Sequence, residues 1–191
     1  MRKHLAVNDL SHATALPGEM PRAALAIGDG ATAKLRLRLD YFDAGVFELV
    51  CYCTMPNHFH LLVQQCGDTP ISNLMLKLST SYSMYFNAKY EHVGHVFQSR
   101  FRAARVDSDR YLKHISAYIH LNLKTAGLVK KAEDWKYGSY PDYLGEREDA
   151  VCDTAKVLEQ FRSIPAYRRY VEESAEGIRL RKSLGDLAID A

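Results

Sequence analysis

The chain has 191 residues, 47% of them hydrophobic and 25% charged, with a formal net charge of +2, which fits one well-buried domain with an appendage and is short for two full domains. No run of about 18 apolar residues occurs, and Met1-Arg2-Lys3-His4 leads into no apolar stretch, so the expectation is a cytoplasmic protein with neither a membrane span nor a signal peptide. Cys51, Cys53, Cys66 and Cys152 have no CxxC spacing and no disulfide-framework density, which fits thiols kept reduced.

Residues 1–30 mix Ala, Gly, Pro and polar residues without a sustained period, and Gly28-Asp29-Gly30 closes them like a linker; they are expected to form a poorly ordered or atypical extension. From Lys34 to Tyr41, charge alternates with Leu35, Leu37 and Leu39, a strand signal, while Leu35, Leu39 and Phe42 also make a helical face. The residues alone leave both readings open. Val46 to Thr54 is rich in β-formers and pairs naturally, through a Pro56-Asn57 turn, with His58 to Gln64 as a hairpin. Asp68-Thr69-Pro70 starts a helix in which Ile71, Leu74, Met75, Leu78, Tyr82 and Tyr85 keep helical spacing until Gly94. Val96 to Arg102 alternates as a further strand, and Asp107-Ser108-Asp109 caps a second helix from Arg110 to about Leu123. Asp134 to Gly145 is aromatic and turn-rich, and Thr154 to about Ala175 reads as helix.

Met55-Pro56-Asn57-His58-Phe59-His60-Leu61-Leu62-Val63 carries the first candidate site. On a strand, His58 and His60 project to one face and Phe59, Leu61 and Val63 to the other, with the imidazoles about 7 Å apart along the strand and able to converge on one cation. A His-x-His taken alone is more often a pair of hydrogen-bonded surface or core histidines. On the second helix, Tyr118 and Asn122 are four residues apart and therefore stacked on one face. A tyrosine at the edge of the Leu112, Ile115, Ile119 stripe is ordinarily core, but an asparagine in mid-helix is a mediocre helix former and suggests a specific partner. Charge is concentrated nearby: 94–131 holds eight Lys/Arg against Asp107 and Asp109, a local +6 that leaves −4 for the remainder. Such a segment on a near-neutral chain suggests a polyanion partner.

These residues, with Phe97-Gln98-Ser99-Arg100-Phe101, Tyr118-Ile119-His120-Leu121-Asn122, Ala126-Gly127-Leu128-Val129, Trp135 and Gly138-Ser139-Tyr140, resemble the single-tyrosine HUH transposases, and within them the REP-associated tyrosine transposases of bacteria. The resemblance runs from about Phe42 to Gly145. It implies an α+β fold, a ferredoxin-like or RRM-like antiparallel sheet with helices on one face, spanning 31–145, followed by a C-terminal helical tail over 146–191, and it favours helix for Lys34 to Asp43. It also implies that His58, His60 and Asn122 hold a divalent cation, Mg²⁺ or Mn²⁺, and that Tyr118 is the nucleophile of a single-stranded DNA endonuclease and strand transferase working through a 5′-phosphotyrosine on hairpin-containing DNA. Arg100, Arg102, Arg105 and Arg110 are the expected phosphate contacts, with Phe101 or the Trp135 to Tyr143 aromatics as stacking platforms. The partner is single-stranded or hairpin DNA, with no membrane, and the protein is a monomer or homodimer. Two departures stand out: Leu123 follows Asn122 where the family usually has Pro, and residues 1–30 show no evident opening strand. The rival readings are a catalytically inactive nucleic-acid-binding module of the same fold and a small zinc protein using Cys53 or Cys51 with the two histidines.

Overall fold

The computed structural model describes residues 3–9 and 46–183; the expectations for 10–30 and for Lys34 to Asp43 lie outside them. Four strands, β1 (Lys3–Asp9), β2 (Phe47–Thr54), β3 (Phe59–Gln65) and β4 (Arg102–Val106), form one antiparallel sheet in the order β2-β3-β1-β4. The opening strand that residues 1–30 did not seem to offer is therefore present, and it is interior. Lys3–Asp9 pairs along its whole length with β3 on one side and with β4 on the other. Its signal is short, with only Leu5-Ala6-Val7 as a continuous apolar run, which periodicity cannot classify.

The hairpin forms as the residues predict, but one residue out of step with simple alternation. A bulge between Leu49 and Cys51 shifts the register of β2, so that Val50 and Cys51 both pack on the face of Leu62, while Leu49 and Tyr52 pack with Leu61 and Val63. The Val50 carbonyl accepts a hydrogen bond from the Tyr143 hydroxyl at 2.8 Å. The expected strand at Val96 to Arg102 is displaced: the strand begins only at Arg102 and runs to Val106, because β1 offers partners to Arg102 through Val106.

Both faces of β3 are apolar, with Leu61 and Val63 on one side and Leu62 on the other, so both must be covered. Helix α1 (Ile71–Tyr90) covers the first through Leu74 and Met75. Helix α2 (Asp109–Thr125) covers the second, capped as expected by Ser108, whose hydroxyl accepts the Tyr111 amide. The helices are thus divided between two faces rather than confined to one. Two short turns, α3 (Tyr140–Tyr143) and α4 (Ala155–Leu158), lead to α5 (Ile164–Ser183), where Pro165 in the first turn sets a new start after the break at 159–163.

Helix α5 is more than a tail. Every residue from Ile115 to Leu123 is buried, so α2 is apolar all round and needs cover on its outer side as well. Tyr167, Val171 and Ile178, all fully buried, provide it. Leu123, standing where the family has Pro, is 1% exposed and lets the helix run on to Thr125, after which Gly127 at φ +74° ends it.

Between α2 and α5 lies a closed polar chain. Ser139 Oγ accepts the Tyr52 amide at 2.9 Å and lies 3.1 Å from the Tyr52 carbonyl, to which it donates its one hydrogen. His120 Nε2, 3.0 Å from that oxygen, must then donate, which leaves Nδ1 to accept the Tyr167 hydroxyl at 2.8 Å. The imidazole is fixed in one neutral tautomer, and burial draws its pKa down from 6.5 to about 3.

Two expectations follow from this architecture. Ala6→Pro removes a ladder N–H from an interior strand at a cost of about 3 kcal/mol or more, and should lower Tm by roughly 10 °C in thermal circular dichroism; an unchanged Tm would place β1 elsewhere. The second concerns acid. His120 is neutral in the fold while the unfolded chain takes up a proton near pH 6.5, so its contribution is intact above pH 6.5 and is lost as pH falls toward 3. Unfolding free energies from urea titrations should decline over that window by up to ~1.4 kcal/mol per pH unit from this group, and His120→Asn should flatten the slope.

Candidate functional site

Proline and asparagine turn the chain tightly between β2 and β3: the Met55 amide donates to the His58 carbonyl at 2.8 Å, so His58 closes the turn and His60 is the second residue of β3. His60 is 1% exposed and His58 half-buried. Their Nε2 atoms lie 3.1 Å apart, with the rings edge-on at 4.8 Å between centroids. The convergence inferred from the His-x-His spacing is present. Asn57, read from sequence only as a turn residue, has a second part: its Oδ1 lies 2.7 Å from His58 Nδ1. An amide oxygen can only accept, so Nδ1 carries the hydrogen and the Nε2 lone pair is left facing His60. Holding the far nitrogen in this way is how metal-ligating imidazoles are oriented.

The pair fits a cation. Two imidazoles binding one metal at about 2.1 Å would keep their nitrogens roughly 3.0–3.4 Å apart, and the observed separation lies within that range. Among the described residues, no group of three His, Cys, Asp or Glu is placed to hold a metal. Cys53 opposes His60 in the register without completing such a group, which leaves the zinc reading without a ligand set. Among the described residues, a third protein donor beside the two imidazoles would be of another kind, such as an amide.

Helix α2 brings its pair to the same face of the sheet. The Tyr118 ring stands edge-on to His60 at 5.6 Å, and Asn122 follows one turn later. Both are fully buried. In this conformation a phosphate reaches the Tyr118 hydroxyl only after the atoms covering it have moved.

The four arginines are exposed but are not equivalent. Arg102 pairs with Asn8, and Asn8 with His60, so Cys53, His60 and Arg102 lie in one row across the sheet, on the face that meets Tyr118. Two strand spacings put Arg102 about 10 Å from His60 at the backbone. Arg105 has the opposite parity and belongs to the α1 face. Arg100 precedes β4, and Arg110 lies near Tyr170 of α5. No ion pair with a described residue involves Arg100, Arg102 or Arg105.

Of the aromatics expected to stack on bases, Tyr137, Tyr140 and Tyr143 are in the core, while Trp135 and Phe101 are half-buried. Trp135 Nε1 donates to the Thr54 carbonyl at 2.9 Å, and Phe101 packs against the α1-side core. Arg147 ties this segment down by donating to Asp142 at 2.7 Å, to Tyr52 and to the Gly138 carbonyl. Burial still leaves the Asp142 carboxyl above its ordinary pKa, with the Arg147 charge opposing the rise.

Residues 35–122 match the family model described as "Transposase IS200 like". A Haemophilus influenzae protein named for the REP-associated tyrosine transposases is 30% identical over 49% of this chain; the chain spans 59% of that relative's length. A solved structure of a REP-associated tyrosine transposase bound to a REP hairpin shares 18% identity, covers 75% of this chain and 79% of its own, and superposes with a TM-score of 0.52, which establishes the common fold. Over residues 35–122, then, the chain is similar to the IS200-like transposases.

Proposed function

We propose that the protein cleaves and rejoins single-stranded DNA in the manner of a transposase, with Tyr118 as nucleophile. The observation that carries this reading is the convergence of His58 Nε2 and His60 Nε2 at 3.1 Å beside the Tyr118 ring. Hairpin-containing DNA is the favoured substrate, since the fold is shared with a transposase solved on a REP hairpin.

In the proposed reaction the Tyr118 oxygen attacks phosphorus in line. The O–P bond forms as the phenol loses its proton, and the bond from phosphorus to the 3′ oxygen breaks. The departing strand gains a proton to leave as a 3′-hydroxyl, and the other strand end remains as a 5′-phosphotyrosine. The ester keeps the phosphodiester energy, so a second 3′-hydroxyl can reverse the step without ATP. His58, His60 and Asn122 would hold Mg²⁺ or Mn²⁺, which when bound neutralises charge on a non-bridging phosphate oxygen. Asn57 keeps His58 in the tautomer that this requires. Arg102, in the His60 row, is the arginine best placed to hold a neighbouring phosphate, whereas Arg105 would serve strand lying on the α1 face. Because Tyr118 is fully buried, the cycle begins by uncovering it. That burial also favours the second reading, a binding module that no longer cleaves.

A labelled single strand containing a hairpin, incubated with Mg²⁺ or Mn²⁺ and run on denaturing gels, separates the two. Wild type and Tyr111→Phe should form a covalent adduct and Tyr118→Phe none, with DNA affinity within about threefold of wild type. Adduct surviving in Tyr118→Phe would assign the nucleophile elsewhere, and no adduct in wild type across a range of hairpins would favour the binding module. His58→Ala, His60→Ala and EDTA should each stop adduct formation while only partly weakening binding, as judged by electrophoretic shift. Binding should fall with added salt and prefer unpaired or hairpin DNA to perfect duplex.

A further inference from the structure

Helix α1 is only partly used by the fold. Of its 20 residues only Leu74 and Met75 are buried, and its second half carries Tyr82, Phe86 and Tyr90 at four-residue intervals on one face. These rings continue a ladder that starts at the histidine pair. Phe59, between His58 and His60, meets Phe97 at 6.3 Å; Phe97 meets Tyr82 at 5.6 Å; Tyr82 meets Phe86 at 6.1 Å; and Phe86 meets Tyr90 at 4.8 Å. All five rings are half-buried, so each keeps surface open to solvent. The Tyr82 hydroxyl is itself buried yet has no hydrogen-bond partner, a costly arrangement that a polar ligand in the ladder would relieve.

The charge around the ladder identifies the kind of ligand. Between Thr69 and Val106 the one acidic residue is Glu91, against Lys77, Lys89, Arg100 and Arg105, with Arg102 on the other face of the sheet. Lys89 Nζ sits 5.4 Å and 5.6 Å from the Tyr85 and Tyr90 ring centres, at the far end. A second copy of this chain would bring like charges together on such a face. A polyanion whose units each carry a flat π surface matches both features. Duplex DNA keeps those surfaces stacked inside, so the occupant must be unpaired.

We propose that Phe59, Phe97, Tyr82, Phe86 and Tyr90 form a stacking track for the unpaired bases flanking the cleaved position, leading the strand over the rim of the sheet from the His58–His60 site onto the α1 face. The inference rests on the single-stranded DNA reading above. It moves base stacking from the Trp135 to Tyr143 segment, whose tyrosines are in the core, to a helix that the sequence offered only as cover for the sheet.

The test is fluorescence anisotropy with a hairpin bearing a labelled unpaired flank. Phe86→Leu and Tyr90→Leu keep apolar bulk and remove the ring; Tyr90, at the open end of the ladder, serves if Phe86→Leu does not fold. Each should weaken binding by about five- to a hundredfold with the salt slope unchanged, while Arg102→Ala should reduce that slope by about one. Abasic spacers stepped through the flank should cost wild type affinity at particular positions and cost Phe86→Leu or Tyr90→Leu nothing further at one of them. Wild-type affinity in both variants, or equal abasic penalties in wild type and variants, overturns the track. So does loss of a dimer with DNA affinity intact. If wild type forms the Tyr118 adduct in these cases, the cleavage reading stands and only the track fails; if wild type neither binds the unpaired flank nor forms adduct, the cleavage reading has failed first.

Discussion

Helix α2 is closed in on both sides, and the rest of the molecule is arranged around that constraint. A helix buried from Ile115 through Leu123 can hold polar side chains only where partners already wait for them. On the sheet side Tyr118 stands against His60. On the outer side His120 is held between Ser139 and Tyr167 at 3.0 and 2.8 Å. Tyr118 and His120 are two residues apart, hence about 200° apart around the axis. Gripping one therefore fixes the rotation of the other. The C-terminal helix and the Ser139 segment thereby help to set the orientation of Tyr118.

The sheet imposes the second constraint. With β1 in the interior, the row through His60 reaches β4 and ends on an exposed arginine. The row also depends on the bulge in β2, because without the shift at Leu49/Cys51 a different residue would lie opposite His60. A one-residue shift in any of these pairings would turn the histidines, Arg102 or Cys53 to the other face. The bulge is anchored by Tyr143, whose hydroxyl takes the Val50 carbonyl, so the buried aromatics of the 135–145 segment help set the register behind the site.

The two faces of the sheet differ in cover, and the proposed reaction and the proposed track divide between them. Towards α2 the surface is enclosed: His60, Tyr118 and Asn122 are buried, and the His60 and Tyr118 rings are in edge-on contact. Towards α1 the cover is partial, and half-buried rings and basic side chains lie along the helix. Enclosure suits chemistry at one phosphorus atom, where displacement by an ångström matters. An open aromatic surface suits contact with a polymer whose sequence and length vary. Phe59, flanked in sequence by the two histidines, is where the faces meet.

The sequence by itself determined the features whose cause is local. The β2–β3 hairpin follows from β-formers on either side of Pro56-Asn57, and α2 from the Ser108 cap with apolar residues at helical spacing. The histidine pair could be placed because alternation puts residues 58 and 60 on one side, and the motif order from Met55 to Tyr140 carried the family resemblance. What only the tertiary structure decided was who faces whom. Leu5-Ala6-Val7 is too short a run to announce a strand, and it becomes the centre of the sheet because β3 and β4 both offer it partners. The start of β4 moved to Arg102 for the same reason, and that pairing, not composition, separates Arg102 from Arg105. The His120–Ser139–Tyr167 chain and the contact of Phe59 with Phe97 join residues whose chemistry was visible but whose proximity was not. Hydrogen bonds and ring contacts between residues 19 to 87 positions apart leave no period in the sequence, since their geometry exists only once the chain has packed.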